Sequence, residues 1–191
     1  MTLAEIRKLF ERLARLSSAA CVRAGSGFEY AVRFTDGETH TYRIIGVRSP
    51  DAIVDDISNL CLWAWNTKDY LSKRAKTLGK PGKLVEAAVN SSSDLCLCAD
   101  LANSLKHGGL DKLPRSGWRP RIGAPSYTIP GHAISSITFG AFDVSVAPSN
   151  PEEVEITVPI EDQNGNELGD VLQLLQRVVS EWERIAIDVE D

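Results

Sequence analysis

No stretch of this 191-residue sequence approaches the roughly 18 consecutive apolar residues that a membrane-spanning helix requires. Glu5 and Arg7 interrupt the apolar pattern where a signal peptide would carry an unbroken core. A soluble, cytoplasmic protein with no membrane partner is therefore expected. Four cysteines are too few for a disulfide framework, and Cys61, Cys96 and Cys98 fall in helical apolar patterns, which marks them as reduced core residues. Residues two apart on a helix point about 200° away from each other, so Cys96 and Cys98 cannot share an ion with His107, and no metal site is expected. There is no Gly-rich phosphate loop, no Gly-x-Ser-x-Gly elbow, no His-Glu-x-x-His and no Cys-x-x-Cys. The common motif-bearing nucleotide-binding enzymes, hydrolases and zinc proteins are thereby set aside, and no cofactor is expected.

What is present is ordinary for a globular chain: 43% apolar and 25% charged residues, in a length that fits a single domain over residues 1–191. The formal charge of −5 argues against a protein that coats nucleic acid. The charge is uneven, however. Between positions 106 and 121, Lys106, Lys112, Arg115, Arg119 and Arg121 stand against Asp111 alone, a local balance of +4. The carboxyl end is acidic, with Glu181, Glu183, Asp188, Glu190 and Asp191.

The pattern along the chain predicts an α+β fold. Thr2 and Glu5 form a capping box ahead of Leu3, Ile6, Leu9, Phe10, Leu13 and Leu16, which gives a helix over 2–17 with Arg7, Lys8, Arg12 and Arg15 on its other face. Phe28, Tyr30, Val32 and Phe34 alternate into Asp36-Gly37 and on to His40, Tyr42 and Ile44, which predicts a hairpin over 28–45. Ser49-Pro50 opens a helix over 50–78, and a further helix over 83–107 ends at Gly108-Gly109. A basic loop over 108–131, packed through Leu110, Leu113 and Trp118, leads to strands over 132–161 and a closing helix over 168–187. Three to four helices in an antiparallel bundle, with the hairpin and later strands in a small antiparallel sheet, are the expected architecture.

The most informative stretch is Asp100-Leu-Ala-Asn-Ser-Leu-Lys-His107. At 100° per residue, Cys96, Asp100, Asn103 and His107 fall within about 60° of one another, a narrow polar stripe on an otherwise apolar helix. A neutral imidazole at His107 removes a proton near neutral pH, the Asn103 amide orients a hydroxyl or the ring, and the Lys106 ammonium meets developing phosphorane charge. The same residues also fit a structural role, with His107 favoured at a helix C-terminus and Asn103 bonded to the next loop. His40 and His132 fall in predicted strands and read as cross-strand or surface residues.

This octapeptide resembles the active-site helix of the HEPN superfamily, small helical domains that include metal-independent ribonucleases of toxin and antiviral systems. The resemblance covers about residues 51–108. It implies His107 as the base and Asn103 as its polar companion, and family members often pair so that two such helices face one cleft. Where the family carries an arginine before the histidine, this chain has Asp100, Leu101 and Ala102, so Lys106 stands in for the charge. Arg33 and His40 match the spacing but flank the Asp36-Gly37 turn, the wrong context for that helix.

The expected catalytic residues are thus His107, Asn103 and Lys106. Asp100, Lys112, Arg115, Trp118 and Arg119 are the expected substrate contacts, with Trp118 placed to stack on a base. RNA and a second copy or another protein are the expected partners. The resemblance implies RNA cleavage or binding in a bacterial defence or toxin system. The alternative is a non-catalytic binding or assembly module that works through a homodimer or a partner helix, and an enzyme acting on a small ligand is a third reading.

Overall fold

The computed structural model describes residues 1–110 and 112–191; Asp111, the one acid of the basic stretch, lies outside them. The fold is α+β. Among the described residues there are five α-helices and nine β-strands, in the order α1 (Leu3–Cys21), β1 (Phe28–Arg33), β2 (Thr39–Ile44), α2 (Pro50–Thr77), α3 (Leu84–Ser91), α4 (Ser93–His107), β3 (Arg121–Ile122), β4 (Ser126–Thr128), β5 (Ile134–Phe139), β6 (Asp143–Pro148), β7 (Glu155–Thr157), β8 (Pro159–Glu161), β9 (Glu167–Asp170) and α5 (Val171–Glu190). Among the described residues no helix is long and apolar enough to cross a membrane.

Where length led to the expectation of a single domain, the chain divides into two compact units, one of residues 1–20, 55–123 and 158–191, the other of residues 21–54 and 124–157. In the first, helices bury their apolar stripes together with a three-stranded sheet of order β3-β8-β9. Leu13, Ile57, Leu60, Leu71, Leu95, Leu101, Ile160, Leu174, Leu175, Trp182 and Ile185 are all buried there. The capping box is formed as expected: Glu5 N–H donates to Thr2 Oγ1 at 3.3 Å, and Thr2 N–H donates to Glu5 Oε2 at 2.7 Å. The second unit holds the four-stranded sheet β1-β2-β6-β5 and the two-stranded sheet β4-β7. Its Phe28 and Tyr127 rings pack at 4.8 Å, and the Tyr127 hydroxyl donates to the Arg48 carbonyl at 3.0 Å.

Four expectations need correction. The helix expected over 83–107 is two helices, because Ser92 is extended (φ −110°, ψ 117°) and its hydroxyl accepts from Leu95 N–H at 3.3 Å, capping α4. The run Ser91-Ser-Ser93 supplies hydroxyls that compete with backbone helix bonds, and Ser91 bonds back to the Ala88 carbonyl. The loop expected over 108–131 contains β3 and β4, because Arg121-Ile122 and Ser126–Thr128 find partners in β8 and β7. The sheet containing the hairpin is mixed, since β2 runs parallel to β6 with Thr41 opposite Asp143. Finally, α5 starts at Val171, where Asp170 accepts from Gln173 N–H at 3.0 Å; the residues before it pair as β9 with β8.

Candidate functional site

Within the first unit, α4 carries the polar stripe, and packing divides it. Its earlier members belong to the interior. Cys96 is buried with its thiol on the Val89 carbonyl at 3.4 Å, and burial pushes that thiol above its ordinary value. Cys98 is raised further by its hydrogen bond with Cys61 and by burial, so neither sulfur is a ready nucleophile near neutral pH. Among the described residues no group of three or more His, Cys, Asp or Glu is placed to hold a metal ion.

Asp100 is only 3% exposed, and its carboxylate is fully engaged. Oδ1 accepts from Arg115 N–H at 3.1 Å, while Oδ2 accepts from both the N–H and the hydroxyl of Ser116 at 2.7 Å. The expected role in substrate contact is therefore corrected: Asp100 is the anchor that ties the basic segment to the helix. A buried carboxylate satisfied by two backbone N–H groups and a hydroxyl fixes that segment without an apolar plug. Leu113, expected to pack, is instead 93% exposed.

Arg115 is likewise committed to scaffold. Its Nη1 donates to Glu86 Oε1 at 2.7 Å and to Asn90 Oδ1 at 2.9 Å, both on α3, and its guanidinium carbon lies 5.6 Å from the centre of a Trp65 ring. Lys68 reaches the other Glu86 oxygen at 3.2 Å and lies 4.9 Å from the Trp65 ring. Burial pushes the Glu86 carboxyl up, but the bonds and charges of Arg115 and Lys68 outweigh that and hold it below its ordinary value. Sequence reasoning missed Trp65, Lys68, Glu86 and Asn90. They act through contacts 25 or more positions away from Arg115, or through one another, and carry no local signature.

Arg119 closes the segment on itself. One guanidinium nitrogen bonds the Leu110 carbonyl, and its backbone N–H donates to Gln163 Oε1 at 3.2 Å. Trp118 remains 44% exposed, its N–H held by the Ser116 hydroxyl at 3.2 Å. Trp118 is thus partly exposed on a backbone that Asp100 indirectly fixes through Ser116.

At the C-terminal end of α4 the stripe reaches solvent. Gly108 takes the left-handed conformation (φ 70°) and its N–H returns to the Ser104 carbonyl, so the helix stops immediately after His107. His107 is exposed and Asn103 half-buried, and both line a pocket of about 270 Å³ with Gly109, Leu110 and Lys112. Lys106 is exposed on the same last turn but is not one of the pocket's walls. Among the described residues, the cation that lines the pocket with His107 is Lys112. The pocket thus combines an imidazole, an amide and an ammonium, parts suited to holding an anionic, hydroxyl-bearing ligand and moving a proton on it.

No protein-family model matches this chain, and none of the curated proteins or solved structures compared with it matches either.

Proposed function

We propose that the end of α4 and the segment after it bind single-stranded RNA and cleave it without a metal, in the manner the HEPN resemblance implies. The observation that carries this reading is the pocket shared by His107, Asn103 and Lys112. His107 takes the proton of a ribose 2′-hydroxyl, and the freed oxygen attacks the adjacent phosphorus. The 5′-oxygen leaves and takes a proton from water, and the His107 imidazolium gives its proton back to solvent, which yields a 2′,3′-cyclic phosphate and a 5′-hydroxyl end. Lys112 neutralises the charge that gathers on the phosphoryl oxygens, the Asn103 amide orients the ribose, and Lys106 adds positive potential at the rim. Trp118 offers a stacking face for a neighbouring base.

The absence of an arginine in the stripe is compatible with this assignment, because charge neutralisation passes to an ammonium on the following segment. An ammonium lacks the planar fork of arginine, so slow turnover is expected. Binding and cleavage are tested separately. Lys112→Glu should weaken binding to a fluorescent single-stranded RNA and lower the slope of log affinity against log salt by about one. His107→Ala should retain binding and lose cleavage. Unchanged binding in Lys112→Glu would remove this pocket from the RNA path.

A further inference from the structure

The first unit also carries an apolar groove of about 540 Å³ between α1 and α5. Leu3, Ile6 and Phe10 form one wall and Ala186 and Ile187 the other, with Ile187 61% exposed and Leu3 41% exposed. Charges sit on its rims: Arg7 and Glu11 from α1, Glu183 and Glu190 from α5, and Asp191 just beyond it. Glu190 is already taken by Arg74, at 2.7 and 2.8 Å. Arg7 and Glu183 are different: they stand on opposite walls, both exposed, and neither has an ion-pair partner among the described residues.

We infer that a second copy of this chain covers the groove, with α1 of one protomer laid over α5 of its partner. A two-fold axis running along the groove makes the contact isologous, so Arg7 of each protomer meets Glu183 of the other, and two ion pairs flank an apolar centre made of Leu3, Phe10 and Ile187 from both copies. The alternative two-fold packing, α5 upon α5, brings the Glu183 carboxylates of both copies to one face with no Arg7 opposite them and is disfavoured by like charge. This arrangement covers Leu3 and Ile187 and pairs Arg7 with Glu183, while Glu11 and Asp191 stay at the solvated rim. It does not depend on the RNA reading, because neither the groove nor its rims include a residue of the His107 pocket.

Sedimentation equilibrium on the full chain, at concentrations up to about 100 μM, tests the inference. The wild type should be dimeric. Ile187→Asp should be monomeric with unchanged circular dichroism and melting temperature, since the side chain is mostly exposed in the protomer. Arg7→Glu and Glu183→Arg should each weaken association about tenfold or more, and Arg7→Glu combined with Glu183→Arg in one chain should restore it. A monomeric wild type at every concentration overturns the inference, as does a dimer that Ile187→Asp leaves intact. A dimer that Ile187→Asp breaks but the double charge reversal fails to rescue overturns the α1-on-α5 arrangement.

Discussion

Ser116 gives two hydrogen bonds to one oxygen of Asp100, from its backbone N–H and from its hydroxyl, each 2.7 Å long. With the Arg115 N–H on the other oxygen, this contact makes the basic segment a fixed appendage of α4. The position of Lys112 and Trp118 relative to His107 therefore depends on a carboxylate that no ligand reaches.

Asp100→Ala should cost about 2–4 kcal/mol in chemical denaturation, because it leaves two backbone N–H groups and a hydroxyl without their acceptor. The same variant should be cut by protease within residues 112–119 under native conditions, where the wild type resists. An Asp100→Ala protein with wild-type stability would mean that the segment is held by Arg119 and Arg115 alone.

Arg115→Ala should cost about 1 kcal/mol or less at neutral pH, since its partner Glu86 is partly exposed and the pair is screened. Arg115 and Lys68 lower the folded Glu86 carboxyl below its usual value of 4.5, so its contribution is present above that value and lost as pH falls through the lowered one. The stability difference between wild type and Arg115→Ala should therefore shrink below pH 4.5, which melting curves across an acid series would show. A difference that grows with acidity would contradict the assignment of Arg115 to Glu86.

Tyr127 should titrate late. Burial raises its phenol to about 12, and its proton is given to the Arg48 carbonyl. The fold favours the neutral phenol, so this contribution is present below the ordinary tyrosine value of 10.0 and lost as pH rises through about 12. Ultraviolet titration of tyrosinate should show one late step that Tyr127→Phe removes.

Much of the local structure was legible because it is written in neighbouring residues. Thr2 with Glu5, Asp36-Gly37, Ser49-Pro50 and Gly108 each set a boundary through a bond or dihedral within a few positions, and each boundary lies where such chemistry puts it. What escaped depends on distant partners. The parallel pairing of β2 with β6 joins segments about a hundred positions apart, and the break at Ser92 is a competition that helical periodicity does not register. At the candidate site, His107 and Asn103 were legible from their spacing. The commitment of Asp100 and Arg115 to scaffold was not, because a polar residue on a helix stripe looks the same whether it faces a ligand or a loop.

Whether His107 acts as a base on RNA is decided by the ends left on a single-stranded RNA after incubation with the purified protein. The wild type should leave 2′,3′-cyclic phosphate and 5′-hydroxyl ends and should not cut a 2′-deoxy substrate, and a His107→Ala protein that melts like the wild type should give no products. RNA left intact by the wild type, or cut equally well by His107→Ala, would contradict that role.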